Sequence, residues 1–175
     1  MRYVALLRGI NVGGNTMIKM EELRKTFEAL GFERVVSYIN SGNLAFDSRK
    51  TSEPTLVKKI EAVVEQMIDK PVQVMVREQP ELERVVANNP FEGKYQSHKE
   101  MHVLFLKSEL SDEQIAWLTE ASPKGEYFHV SGREIYCHLP SGVADSYLGS
   151  GQFEKKLKAA VTARNWRTVE KLAEL

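Results

Sequence analysis

Apolar residues along the chain occur either in short continuous runs or at positions three and four apart, which predicts alternating strands and helices. The run at residues 4–7 predicts a buried strand, and the helical spacing of apolar residues over 20–30 predicts a helix that ends at Gly31. Residues 35–39 and 44–46 are rich in β-forming side chains. They flank Ser41-Gly42, which predicts a β-hairpin with a two-residue turn.

The next segments complete a first set of elements. Apolar residues over 56–67 predict a second helix, with Ser52 as its cap and Pro54 in its first turn. The run at 72–76 predicts a strand, and a third helix is expected over 80–87. The order β-α-β-β-α-β is that of the ferredoxin-like arrangement.

This order partly repeats after a polar, turn-rich segment. We expect a strand at 101–106, a helix begun by the capping box at 111–114, a hairpin around Ser131-Gly132 and a helix over 153–161. The chain would close with a short helix capped by Thr168, or with a strand from Trp166. The predicted fold class is therefore α+β, with two ferredoxin-like subdomains at 1–88 and 101–175 joined by a linker at 89–100. Internal duplication is a hypothesis that this order suggests.

The connection after the first strand is the main candidate for function. It reads "RGINVGGN", whereas "KSEL" alone joins strand to helix in the second half. The glycines are either a tolerated surface insertion or a means of bringing the backbone close to a ligand, because glycine readily adopts positive φ. The segment matches neither the P-loop pattern nor the dinucleotide-binding glycine pattern.

The predicted topology places this loop, the "NSGN" turn and the connection after the second helix at one edge of the sheet. Arginine donors and asparagine amides at that edge suit a phosphate, a carboxylate or an amide-bearing base. In the second half, Arg164 and Asn165 are expected where a helix ends, either as caps or as ligand contacts. The candidate ligand-binding residues are Arg8, Asn11, Gly13, Gly14, Asn15, Asn40, Ser41, Asn43, Arg164 and Asn165.

The sheets suggest a different function. With the predicted turns, Tyr127 lies opposite Tyr136 and Tyr38 opposite Ala45, so that these three tyrosines and Tyr3 could share an open face. Such a face can stack the bases of single-stranded nucleic acid. Alternatively, the two modules pack against each other through these faces.

Charge and composition restrict the partners. Lys plus Arg and Asp plus Glu number 24 each, which argues against a general nucleic-acid or membrane-surface protein without excluding a local basic patch. No apolar run is long enough to span a membrane, and no signal-peptide pattern is present. The single cysteine, Cys137, indicates a reducing compartment, and we expect the cytoplasm. It is expected to be buried, and the four histidines do not form a metal-binding pattern.

Several motifs resemble a known family. "ALLRGINVGGN", "YINSGNLAF", "NPF", "HVLFL" and "TARNWRTVEKL" are similar to segments of the bacterial family catalogued as domain of unknown function 1697, over nearly the whole chain. The resemblance implies two α+β subdomains similar to the ferredoxin-like fold, and it implies no reaction. Ala163 stands where the family commonly has a second threonine.

The leading hypothesis is a cytoplasmic domain that binds a small polar or anionic ligand at the edge of the first sheet. The alternatives are a single-stranded nucleic-acid-binding module and an enzyme of unknown reaction at the same edge. The sequence nominates no general base, no cofactor and no oligomeric state.

Overall fold

The computed structural model describes residues 1–14 and 16–175, which form two four-stranded antiparallel sheets and six α-helices. The first seven elements are β1 (Arg2–Leu7), α1 (Met20–Ala29), β2 (Glu33–Tyr38), β3 (Asn43–Asp47), α2 (Glu53–Ile68), β4 (Val74–Glu78) and α3 (Gln79–Ala87). The remaining seven are β5 (Met101–Leu106), α4 (Asp112–Ala121), β6 (Tyr127–Ser131), β7 (Glu134–His138), α5 (Phe153–Leu157), β8 (Val161–Asn165) and α6 (Trp166–Glu174). Within these ranges, no helix is long and apolar enough to cross a membrane.

In each sheet, the strand that comes first in the sequence is a central strand. The strand orders are β2-β3-β1-β4 and β6-β7-β5-β8, and every pairing is antiparallel. This α+β arrangement is consistent with two ferredoxin-like subdomains. Because β1 and β2 both run antiparallel to β3, the end of β1 and the β2–β3 turn lie at the same edge.

The chain divides into two compact units. The first contains Met1–Arg84 together with Lys171–Leu175, and the second contains Val85–Glu170. The last five residues therefore group with the first unit, although the sequence assigned them to the subdomain at 101–175. Within the first unit, Gln79 donates a hydrogen bond to the Ala173 carbonyl. The subdomain limits at 88 and 101 stay a prediction.

The core of the first unit lies between one face of its sheet and helices α1 and α2. Tyr3 and Phe46 from the sheet pack with Phe27 of α1 and Ile60 of α2 in one buried cluster. Helix α2 begins as predicted, since the Ser52 hydroxyl accepts a hydrogen bond from the Thr55 amide. Burial of apolar side chains at helical spacing thus fixes both helices to the sheet.

The predicted helix over 153–161 is wrong in its second half. Helix α5 ends at Leu157, because Lys158 adopts the left-handed conformation with φ of 58°. Val161 and Thr162 are β-branched and belong to β8, which pairs with β5. Arg164 therefore lies in a strand and not at a helix end.

The close of the chain also differs from the prediction. Helix α6 follows β8 directly, so a strand from Trp166 is wrong. Thr168 lies inside the helix, and its amide donates to the Asn165 side-chain oxygen at 2.9 Å. Asn165 is thus the residue that caps α6.

The predicted registers of both hairpins are wrong by one position at the turn. Ser131 pairs with Glu134, so the two turn residues are Gly132 and Arg133, and Tyr127 lies opposite His138. In the first hairpin Tyr38 pairs with Asn43, which leaves four residues in the turn. The turn conformation sets the register, and a small shift at the turn changes every cross-strand pair.

The two units have an arginine at equivalent positions of their last strands, which supports the duplication hypothesis. Arg77 of β4 pairs with Val4, and Arg164 of β8 pairs with Val103. Each guanidinium donates to the carbonyl of the preceding residue at 2.9 Å, and each strand leads directly into a helix.

Replacing Asn165 tests the assignment of the α6 cap. We expect Asn165→Ala to lower the free energy of unfolding by about 0.5–2 kcal/mol, because one amide of the first turn loses its acceptor. Asn165→Asp keeps an acceptor oxygen and should stay close to the wild type. Chemical denaturation of the three proteins measures the difference, and equal stabilities of the Ala and Asp variants would contradict the cap.

Candidate ligand-binding edge

The loop after β1 is anchored on both sides at one edge of the first sheet. The Leu7 amide donates to the Gly42 carbonyl at 2.8 Å, and the Arg8 amide donates to the Gln73 carbonyl at 2.9 Å. Both bonds follow from the position of β1 between β3 and β4. The loop, the β2–β3 turn and the α2–β4 connection therefore meet at this edge, as the topology predicted.

Asn11 ties the loop to the turn with its whole side chain. Its Nδ2 donates to the Asn40 carbonyl at 2.8 Å and to the Ile18 carbonyl at 2.9 Å, while its Oδ1 accepts from the Ile18 amide at 2.7 Å. Its φ of 57° lies in the left-handed region that asparagine tolerates better than most residues. These three bonds occupy the amide that was predicted to contact a ligand.

Glycine is favoured at this edge for two different structural reasons. At Gly42 a Cβ would lie 2.9 Å from the Leu7 Cβ, so glycine permits the close approach of turn and strand. At Gly13 and Gly14 a Cβ would meet no described atom within 4 Å, and only their positive φ favours glycine. Their backbone faces open space, which a ligand could occupy.

The polar residues of the β2–β3 turn form hydrogen bonds within the fold. Asn43 is fully buried, and its Nδ2 donates to the Tyr38 carbonyl and to the Ser41 Oγ. Asn40 is exposed and supplies the carbonyl that Asn11 binds. Asn15, another predicted ligand contact, lies outside the described residues.

An open cleft of about 310 Å³ lies between the loop and the α2–β4 connection. Arg8, Gly9 and Thr16 line it on the loop side, and Lys70, Pro71 and Gln73 are among the residues on the other side. The "NSGN" turn is not part of this lining, so the prediction that it shares one site with Arg8 is not met in this cleft. The sequence prediction did not include Lys70. Its place in the connection after the second helix, which was expected at this edge, was the signal that could have identified it.

Charge and chemistry of the cleft favour an anion. Arg8 and Lys70 supply two cations, and the described residues of the lining include no carboxylate, imidazole or thiol. The loop and the β2–β3 turn also expose apolar side chains at Val12, Met17 and Ile39. Ile39 has φ of 48°, which is rare for a β-branched residue and marks local strain.

Comparison with known proteins identifies the family. A family model described as "Protein of unknown function (DUF1697)" matches residues 1–136. The chain belongs to the DUF1697 family. The chain is similar to a solved structure, that of the conserved bacterial protein SP0830 from Streptococcus pneumoniae, with 28% sequence identity and a TM-score of 0.77. The match covers 99% of this chain and 97% of the SP0830 chain. A search of curated proteins gave no match.

In this DUF1697 chain, the predicted contacts of the second unit lie away from the equivalent edge. Val161 pairs with Leu106 at the end of β5, whereas Asn165 pairs with His102 near its start. Arg164 and Asn165 are therefore at the opposite edge of their sheet. Arg164 is buried and donates to the Thr162 hydroxyl at 2.7 Å, and burial lowers the pKa of its guanidinium to about 10.

The predicted open face of tyrosines is wrong for two of its four members. Tyr3 lies in the core of the first unit, stacked with Phe46. Tyr136 is 2% exposed, its hydroxyl donates to the Val85 carbonyl at 2.7 Å, and burial raises its pKa to about 12. Tyr127 is 51% exposed and stacks on His138.

The remaining titratable candidates are buried in the second unit. Cys137 is fully buried as predicted, and burial raises the pKa of its thiol. Burial lowers the pKa of His102. Among residues 1–14 and 16–175, no three His, Cys, Asp or Glu side chains are grouped closely enough to hold a metal ion.

The role of Asn11 is open to a stability measurement. We expect Asn11→Gly, which keeps the left-handed backbone accessible, to lower the free energy of unfolding by about 1–3 kcal/mol, because three hydrogen bonds are lost in a partly exposed setting. Asn40→Ala removes a side chain while keeping the carbonyl that Asn11 binds, and it should change stability by less than about 0.5 kcal/mol. Similar effects of the two substitutions would contradict the stabilising role of the Asn11 side chain.

The buried position of Tyr136 gives a second expectation. Tyr136→Phe should destabilise the protein by about 1–3 kcal/mol, because the Val85 carbonyl loses its buried donor. Tyr127→Phe removes a hydroxyl from an exposed ring and serves as the matched control, with little expected change. Thermal unfolding of both variants provides the comparison, and an unchanged Tyr136→Phe protein would show that the hydroxyl contributes nothing.

Proposed function

We propose that this DUF1697 protein binds a small anionic ligand in the cleft lined by Arg8 and Lys70. The observation that carries the proposal is the meeting of these two cations at one open cleft whose described lining has no carboxylate. A guanidinium and an ammonium together suit a phosphate or a carboxylate group. In this proposal each compact unit is a ferredoxin-like subdomain, and the single cysteine favours a cytoplasmic location.

Anchoring of the loop supports the proposal. The Arg8 amide is bound to Gln73 and the loop is clamped through Asn11, so the backbone that carries Arg8 is held from two sides. A preorganised contact loses less conformational entropy when a ligand binds.

The exposed apolar side chains of the loop and of the β2–β3 turn refine the ligand class. Val12 is 60% exposed, Met17 is 69% exposed and Ile39 is 52% exposed. A ligand that carries an organic group next to its anionic group could cover part of this surface and gain from its burial. Small metabolites with a phosphate or carboxylate therefore fit better than a bare inorganic ion.

Binding is better supported than catalysis or nucleic-acid recognition. The described cleft residues offer no group that commonly acts as a general base, so an enzyme at this edge needs a proton acceptor from the ligand or from elsewhere. Of the four tyrosines proposed to stack bases, Tyr3 and Tyr136 are buried. The formal net charge of zero gives no general attraction for nucleic acid.

Titration with a simple anion tests the site. We expect inorganic phosphate to shift the amide resonances of Gly9, Lys70 and Gln73 saturably in a 15N-labelled sample. Arg8→Ala should weaken this binding about ten- to a hundredfold, since a charge-assisted hydrogen bond contributes about 1.5–3 kcal/mol. Arg49→Ala removes an exposed arginine outside the cleft lining and should bind phosphate like the wild type.

Two results would overturn the proposal. One is a linear, non-saturating shift spread over all exposed lysines. The other is equal weakening by Arg8→Ala and Arg49→Ala. A thermal melt of each variant distinguishes loss of the cleft from loss of the fold.

A further inference from the structure

A groove in the second unit runs between helices α4 and α5. It consists of two adjoining cavities of about 430 Å³ and 250 Å³, both lined by Gln114 and Lys158. Trp117 and Lys156 line the larger cavity, and Lys107 lines the smaller one. The larger volume lies in the range of small-molecule sites, which is about 300–1,000 Å³.

Lys158 occupies a position where glycine is the usual residue. It ends α5 in the left-handed conformation with φ of 58°, and its amide donates to the Glu154 carbonyl at 2.9 Å. Helices often end in this conformation with glycine, because a Cβ is strained there. Because Lys158 also lines both cavities, its side chain is placed to act in the groove.

The backbone around Lys158 is also held in place. The Gln114 side chain donates to the Leu157 carbonyl at 2.9 Å and accepts from the Ser111 amide at 2.8 Å. These bonds join the start of α4 to the end of α5. The Gln114 amide donates to the Ser111 hydroxyl, so this donor of the first turn of α4 is used within the fold.

The described lining of the groove has three lysines and two glutamates. Lys107 follows β5, whereas Lys156 and Lys158 lie at the end of α5, and all three line the two cavities together with Glu109 and Glu113. The Glu109 carboxylate reaches towards the β6–β7 turn, since its Oε1 would lie 4.0 Å from a Cβ built on Gly132. Since β7 and β8 flank opposite sides of β5, this carboxylate is directed away from the segment at 158–160.

Trp117 supplies an aromatic wall. Its half-buried indole packs against Phe153 and Tyr147, with ring centroids 6.2 Å and 6.4 Å apart. These contacts hold the indole while part of it lines the larger cavity. A held aromatic ring beside lysines can stack a planar group while the cations bind its phosphate.

We propose that this groove binds a phosphate monoester that carries an aromatic ring, with Lys158 and Lys156 on the phosphate and Trp117 against the ring. The site lies within the second unit and does not depend on the Arg8 cleft. The two tryptophans allow it to be tested separately, because Trp117 lines the groove whereas Trp166 is 2% exposed.

The probe is adenosine monophosphate, followed by tryptophan fluorescence of the full chain. We expect saturable quenching that Trp117→Phe abolishes and that inorganic phosphate alone does not produce. Lys158→Gly removes the cation while relieving the strained backbone, so it should keep or raise the melting temperature. The same variant should weaken adenosine monophosphate binding about tenfold or more, as expected for loss of a charge-assisted contact.

Matched variants give the controls. Asp69→Gly makes the same backbone change at the left-handed end of α2, and Lys124→Ala removes an exposed lysine outside the groove lining. Both should quench like the wild type, and so should Arg8→Ala, which separates this site from the cleft of the first unit. Absence of saturable quenching, quenching that survives Trp117→Phe, or equal weakening by Lys158→Gly and Lys124→Ala would overturn the proposal.

Discussion

The antiparallel pairing of the inner strand with both of its neighbours determines where every functional candidate of the first unit lies. Since β1 lies between β3 and β4, the chain that leaves β1 must pass between the β2–β3 turn and the start of β4. The bonds from Leu7 to Gly42 and from Arg8 to Gln73 are the direct result. Three connections that are distant in sequence thereby become one surface, and Arg8 reaches the cleft because it is the first residue beyond the strand.

The second unit obeys the same constraint with different side chains. The Leu106 amide bonds to the Arg133 carbonyl as the Leu7 amide bonds to Gly42, and Lys107 follows its strand as Arg8 follows β1. Each of these cations lines a cleft with the segment that follows the second helix of its unit. The long glycine loop is therefore an addition to a plan that a shorter connection satisfies, and Asn11 is the residue that integrates it.

Sequence patterns predicted the elements well where a periodic apolar face is buried along a whole helix or strand, as in α1, α2 and β1. They failed where a single backbone angle decides where a helix ends or a hairpin turns. Nothing in the periodicity shows that Lys158 turns left-handed and ends α5, or that the second hairpin turns at Gly132 and Arg133. Tyr3 and Tyr136 were misplaced because a tyrosine in a strand is compatible with either an open face or a buried one.

The sequence by itself determined the α+β class, the β-α-β-β-α-β order and the meeting of loop and turn at one edge, because local periodicity and the antiparallel pairing rule suffice for these. Only the tertiary structure decided which side chains at that edge are used within the fold and which line the cleft. Asn11 and Asn43 are used within the fold, while Lys70 joins Arg8 at the cleft. The physical reason is that these bonds and contacts link residues far apart along the chain, and their geometry exists only after the strands have paired.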